Sequence, residues 1–146
     1  MRALLLTHLA TTLGMVAVIW FVQLVHYPLF ARVGAREFPV YEAWHQTRIS
    51  WIVVPLMLAE LGTAGLLALH GELPWAPRWE RVAGLGLVLA VWGVTFFLSV
   101  PEHRQLSGGF DPDALRRLVG TNWLRTLGWT ARGALVCAWT WRALSV

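Results

Sequence analysis

The sequence predicts an all-α fold, an integral membrane four-helix bundle, and three observations lead to it. Hydrophobic residues make up 57% of the 146 residues and charged residues 14%, whereas a soluble domain carries about 25% charged residues. Four apolar stretches, at about 4–26, 45–70, 81–100 and 122–144, are each close to the roughly 20 residues that cross a bilayer as a helix. Most of the ten tryptophans lie near the ends of these stretches, as expected at membrane interfaces. We therefore expect residues 1–146 to form one membrane domain.

The ends of the stretches carry signals that stop or start helices. Pro28 follows the first stretch and Pro101 the third, so the chain is expected to leave the membrane at both. Asp111-Pro112-Asp113 is typical of an N-cap followed by proline at the first helical position. Apolar residues beside arginines at 115–119 then predict a short interfacial helix before the last span.

A shift of the chain by 72 residues aligns part of it with itself. Leu13-Gly14-x-Val16-x-x-x-Trp20 falls on Leu85-Gly86-x-Val88-x-x-x-Trp92, and Trp51 falls on Trp123. The match is compatible with two parallel helical-hairpin repeats related by an axis along the membrane normal.

Two opposite charges lie near the middle of the second and fourth stretches. Charged residues inside a membrane usually pair, because an isolated charge there is costly. We therefore expect a structural ion pair between Glu60 and Arg132, with a role in a proton path as the alternative. His8 and His70 lie toward the end opposite the other histidines, and we expect both at the interface.

One end of the predicted bundle collects three histidines from the ends of three helices. These are His26, His45 and His103, and Glu42 shares a helix face with His45 because it lies three residues before it. Neutral imidazole is a ligand for Zn, Cu, Fe and Ni. The pattern predicts a transition-metal site formed by the three histidines, with Glu42 as a further ligand or a catalytic base. A haem held by two of the histidines is an alternative, and interfacial hydrogen bonding is another.

Three polar residues at the same end are expected to contact a ligand. Arg48 follows His45 on the second helix, and Asn122 and Arg125 open the fourth. Arg48 or Arg125 would pair with a haem propionate, or would extend to lipid phosphates. Asn122 and Arg125 together would suit an anionic or quinone-like oxygen on a lipophilic molecule.

A resemblance extends over most of the chain. The segment Trp20-x-x-Gln23-x-x-His26-Tyr27-Pro28-Leu29-Phe30, together with His45, Pro101-x-His103 and Asn122-Trp123-x-Arg125-Thr126, resembles an uncharacterised family of small bacterial four-helix membrane proteins. The layout, with the Asn-x-x-Arg opening of the last helix, is more distantly similar to the anthrone-oxygenase-like membrane proteins. That resemblance implies oxidation of a lipophilic aromatic substrate, with Asn122 and Arg125 at the site, in the bacterial inner membrane.

These observations lead to a functional hypothesis and two alternatives. The hypothesis is a metal- or haem-dependent, oxygenase-like redox protein that acts on a lipophilic substrate at one membrane face. The alternatives are a non-enzymatic membrane binding module and a small transporter, whose four spans would need a homodimer to enclose a path. The bilayer and a lipophilic small molecule are the expected partners, and nucleic acid is not, because the arginines are dispersed and no binding motif is present.

The orientation follows from the arginines. Five lie near the histidine end: Arg32, Arg36, Arg104, Arg116 and Arg117. Four lie near the other end: Arg2, Arg78, Arg81 and Arg142. The positive-inside rule places the histidine end in the cytoplasm by this small difference.

Overall fold

The computed structural model describes residues 1–145, and within them the regular structure is helical, with no strand. Four long helices follow one another: α1 over Arg2–Phe30, α2 over Phe38–Leu69, α3 over Arg78–Ser107 and α4 over Pro112–Leu144. The all-α prediction is confirmed.

Over residues 1–145, three helices are long and apolar enough to cross a membrane, namely α1, α2 and α3. Helix α4 has 33 residues, which is ample length, but it does not reach the same hydropathy. Two of its arginines are buried and contact neighbouring helices, Arg125 through Ser99 of α3 and Arg132 through Glu60 of α2. Large apolar side chains such as Trp51, Leu69 and Phe97 are instead 72%, 88% and 80% exposed on the outer surface, which fits contact with lipid.

The helices are longer than the apolar stretches predicted. Helix α2 begins at Phe38 rather than near residue 45, and α3 continues past Pro101 to Ser107. The prediction of a short interfacial helix before the last span is wrong, because Pro112–Leu144 is one uninterrupted helix. Its buried stripe includes Leu118, Asn122 and Arg125, and their spacing of four and three residues continues one helix face across the expected break. Its start is as predicted, since Asp111 Oδ1 accepts hydrogen bonds from the backbone N–H groups of residues 113 and 114.

A widened helical turn precedes each of the prolines at which α1 and α3 were expected to end. A π-helical turn over Val22–His26 lies just before Pro28, and another over Thr95–Ser99 lies just before Pro101. Proline lacks an N–H and clashes with the carbonyl four residues earlier. A π turn changes that register, which is compatible with a helix that continues past the proline.

The four helices surround a common interior. Helix α1 packs against α2 and α4, and α3 also packs against α2 and α4, so α2 and α4 face each other diagonally. Apolar clusters fill both ends and the middle of this interior. The middle cluster contains Met15, Ile19, Met57, Val91 and Trp129. Polar groups from diagonal helices can therefore meet at the centre.

Candidate functional site

The three histidines of the predicted site lie together, and they form two separate hydrogen-bonded groups. His26 Nε2 and His45 Nδ1 are 2.7 Å apart. His103 Nδ1 lies 2.5 Å from Glu42 Oε1, and its Nε2 lies 2.9 Å from the Tyr27 hydroxyl. The rings of His45 and His103 stack with centroids 5.4 Å apart, so the two groups are in contact.

The partners of Glu42 determine how the protons are arranged. The Glu42 carboxylate is fully buried, and Oε1 also accepts a hydrogen bond of 3.0 Å from Gln46 Nε2. An ionised carboxylate only accepts hydrogen bonds, so His103 Nδ1 carries the proton. In the neutral ring His103 Nε2 is then an acceptor for the Tyr27 hydroxyl. The result is a carboxylate–imidazole–phenol chain from α2 through α3 to α1.

The local backbone brings these side chains inward. The π turn of α1 ends at His26, directly before Tyr27. On α2, Glu42, His45 and Gln46 are three and four residues apart and therefore share a face. His103 lies beyond Pro101, in the last part of α3 that the π turn allows to continue.

A second polar group lies beside the first, between α1 and α4. Asn122 Nδ2 donates to Gln23 Oε1 at 2.8 Å. Arg125 Nη1 donates to Asn122 Oδ1 at 3.1 Å and to Ser99 Oγ at 3.4 Å. The Arg125 guanidinium also lies 5.4 Å from the centroid of the Trp129 ring, within the range of a cation–π contact. Asn122 and Arg125 were predicted from the sequence as residues of this site, whereas Ser99 was not.

A cavity of about 640 Å³ connects these polar groups with the apolar interior. Its polar end includes Tyr27, His45, His103 and Arg125. Its apolar walls include Met15, Ile19, Val53, Met57 and Trp92. A volume of this size accommodates a drug-sized ligand, and sites of this kind are mostly apolar with a few placed polar groups.

The cavity opens sideways between α2 and α3. The exposed side chains in its lining all come from these two helices: Ser50, Val54, Leu58, Phe96, Val100, Arg104 and Ser107. The residues that line it from α1 and α4, such as Tyr27 and Arg125, are buried, except for the partly buried Val18. The opening therefore faces the outer, apolar surface of the protein.

The predicted metal site finds no support in this arrangement. Within the described residues, no group of three or more His, Cys, Asp or Glu side chains could hold a metal ion. Instead of converging on one point, His26 pairs with His45 and His103 pairs with Glu42. The haem alternative stays a prediction.

Arg48 lies apart from this cavity. It is exposed on the outer face of α2, and its guanidinium lies 5.2 Å from the Trp44 ring and 5.8 Å from the Trp51 ring. It borders a separate hollow of about 270 Å³ that His26 and His45 also line. A role for Arg48 in the main cavity is therefore not supported by its position.

A deeper polar cluster lies at the centre of the molecule, where Glu60 and Arg132 meet. Arg132 Nε is 3.5 Å from Glu60 Oε1, and both side chains are fully buried. Glu60 also accepts hydrogen bonds from Thr12 Oγ1 at 3.0 Å and from Trp129 Nε1 at 2.8 Å. Contrary to its expected interfacial position, His8 is fully buried and contacts Arg132. His8 lies one helical turn before Thr12 on α1, so the two side chains share a helix face. This spacing could have indicated that His8 belongs to the central polar cluster.

Comparison with protein-family models, curated proteins and solved structures finds no match to this chain.

Proposed function

We propose that this is a membrane protein that binds a lipophilic small molecule in the 640 Å³ cavity, with the polar end of the ligand at Tyr27, His103 and Arg125. The observation that carries the proposal is the polarity of the cavity, which is apolar along its length and polar at one end. This agrees with the non-enzymatic binding module among the hypotheses, and equally with the binding step of an enzyme.

The lateral opening supports a lipophilic ligand rather than a water-soluble one. Val54, Leu58 and Phe96 border the opening and are 48%, 54% and 53% exposed. A molecule dissolved in the hydrocarbon layer would reach this opening without crossing water. The ligand would therefore enter from the bilayer, with its polar end leading toward the histidine end.

The proposal includes a fourth membrane-crossing segment, α4. Its arginines Arg125 and Arg132 are turned inward, where Asn122 and Glu60 accept their hydrogen bonds. The repeated order of π turn and proline in α1 and α3 supports the duplication into two parallel hairpins. The cytoplasmic orientation of the histidine end and the bacterial inner membrane stay part of this proposal.

Oxidation of the bound molecule, with molecular oxygen as the oxidant that is reduced, is the second candidate function. The observation that favours it is the chain from Glu42 through His103 to Tyr27, because a carboxylate that orients an imidazole beside a hydroxyl is suited to proton transfer. The visible spectrum and metal content of the purified protein test it. A Soret band, or stoichiometric metal lost in the triple His26→Ala, His45→Ala, His103→Ala variant, would support a redox centre. A colourless, metal-free, folded protein would argue against one.

Binding itself is tested with a neutral fluorescent lipophile, methyl parinarate, added to the protein in lipid nanodiscs. We expect saturable binding of one probe per chain, above the partition into empty nanodiscs. Val53→Phe would occupy part of the cavity and weaken binding. Leu66→Phe, on the exposed outer surface of the same helix, is the matched control and would leave it unchanged. Probe uptake that never saturates, or that Val53→Phe does not alter, would contradict the proposal.

A further inference from the structure

We infer that the ligand of this cavity is a lipophilic acid, whose carboxylate or similar acidic oxygen pairs with Arg125. This rests on the proposed function and specifies the class of molecule that is bound. The inference comes from the charge and hydrogen bonding of one buried side chain.

Arg125 is a buried cation without an acidic partner. Its side chain is 6% exposed, and no carboxylate in residues 1–145 lies within salt-bridge distance of it. Its hydrogen-bond acceptors, Asn122 and Ser99, are both neutral. An unpaired buried charge is strongly unfavourable. Something that the chain itself does not supply should therefore balance it.

The other buried charged side chains have a charged or carbonyl partner within the described chain, although Glu42 Oε2, Arg81 Nε and Arg132 Nη1 also lack a hydrogen bond. Arg132 pairs with Glu60, and Arg81 donates to the carbonyl oxygens that end α2. Glu42 Oε1 is occupied by His103 and Gln46. Among these buried charged residues, Arg125 is the one that lines the cavity.

The Arg125 guanidinium is not fully hydrogen-bonded within the described part of the chain. The hydrogen bonds from Arg125 to Asn122 and to Ser99 both come from Nη1. Its Nε is buried and has no hydrogen-bond partner within the described part of the chain. Arginine binds carboxylates bidentately through parallel N–H groups. Asn122, itself held by Gln23, fixes the orientation of the guanidinium before any ligand arrives.

The neighbouring groups complete a head-group site. The neutral Tyr27 hydroxyl lies within hydrogen-bonding reach of the Arg125 guanidinium and lines the same cavity. The chain of the acid would then extend along Met15, Val53 and Met57 toward the opening between α2 and α3. An uncharged lipophile with a polar end lacks the negative charge that would balance the charge of Arg125.

Two probes that differ only in charge test this inference: cis-parinaric acid and its methyl ester, titrated into the protein in nanodiscs of neutral lipid. We expect the ionised acid to bind at least about tenfold more tightly than the ester, a factor equivalent to about 1.4 kcal/mol. In Arg125→Gln the preference for the acid, measured as the ratio of the Kd of the ester to the Kd of the acid, should fall to about one. Arg125→Lys should retain part of the preference for the acid. Arg116→Gln, an exposed position on the same helix, should retain all of it.

Each outcome is decisive. Equal affinity of the wild-type protein for acid and ester would overturn the inference and leave the lipophilic site intact. Saturable binding of neither probe would instead overturn the proposed function. The wild-type comparison needs no variant, so it decides the matter even if Arg125→Gln does not fold. A preference for the acid that survives Arg125→Gln and disappears in Arg104→Gln would also overturn the inference, because Arg104 lies exposed at the opening.

Discussion

His8 Nε2 and Arg132 Nη2 lie 2.7 Å apart in the centre of the protein. Because a guanidinium only donates hydrogen bonds, Nε2 of the imidazole must accept. His8 Nδ1 therefore carries the proton and donates to Thr63 Oγ1 at 2.7 Å, and the threonine hydroxyl in turn donates to backbone carbonyls of α2. The chain of hydrogen bonds links α1, α2 and α4, and we interpret it as a structural clamp.

The clamp predicts that Glu60→Gln destabilises the protein. The substitution keeps the size of the side chain but leaves Arg132 as a buried charge without a counter-charge. Breaking a buried ion pair in this way typically costs about 3–5 kcal/mol. Thermal unfolding in detergent should show a clearly lower midpoint than wild type. Glu72→Gln, in the exposed loop after α2, is the control and should unfold like wild type. An unchanged midpoint for Glu60→Gln would mean that the clamp contributes nothing.

The space around Arg132 gives a second stability prediction. A Cβ added at Gly84 would lie 2.6 Å from Arg132 Nη1, whereas one added at Gly86 would meet nothing within 4 Å. Gly84→Ala should therefore displace the guanidinium from Glu60 and His8 and lower the unfolding midpoint. Gly86→Ala, on the same helix, should leave it unchanged or slightly higher, because alanine favours a helix by roughly 0.5–1 kcal/mol over glycine. The reverse order of the two midpoints would contradict the position of Arg132.

The contact between Glu42 and His103 should be more strongly coupled than a surface ion pair. A double-mutant cycle with Glu42→Gln and His103→Gln measures the coupling, and contacting residues in a buried network typically give about 0.5–3 kcal/mol. The comparison is the cycle for Glu102 and Arg117, a 2.8 Å pair in which Arg117 is half-exposed. We expect that pair to give no more than about 1 kcal/mol. If the two cycles gave equal coupling, Glu42 would not be holding His103 in place.

The lateral opening predicts a kinetic effect. Val54→Trp would narrow the gap between α2 and α3, and it should slow the entry and release of methyl parinarate more than it changes the affinity. Ile52→Trp is the matched control, because Ile52 is 51% exposed on the same helix but does not line the cavity. Stopped-flow fluorescence measures both rates. Equal rates in the two variants would indicate that ligands enter elsewhere.

The sequence predicts the helical class well because membrane helices are long and apolar. Glu60 and Arg132 have opposite charges and lie at similar depth in their predicted spans, and their contact could be predicted from these two facts. The helix ends were less predictable. Pro101 usually stops a helix, but a π turn before it depends on packing that the sequence does not display.

The candidate site shows the same division. The grouping of His26, His45 and His103 at one end followed from their positions near helix ends. The hydrogen-bond partners of the histidines could not be predicted in this way. His103 contacts Glu42 and Tyr27 because of how α2 and α3 are rotated about their axes, and the apolar composition of a helix does not determine that rotation. The predicted metal cluster required the three rings to converge, and such convergence depends on helix orientation.

Photolabelling locates the bound molecule and therefore shows whether a lipophilic acid occupies the cavity between α2 and α3. A fatty acid with a diazirine in the middle of its chain is photolysed with the protein in nanodiscs, and the labelled residues are mapped by mass spectrometry. We predict saturable labelling of cavity residues on α2 and α3, such as Met57 and Phe96, and competition by unlabelled acid. Labelling spread evenly over outward-facing residues such as Leu66 and Leu13, without competition, would contradict a ligand site between these helices.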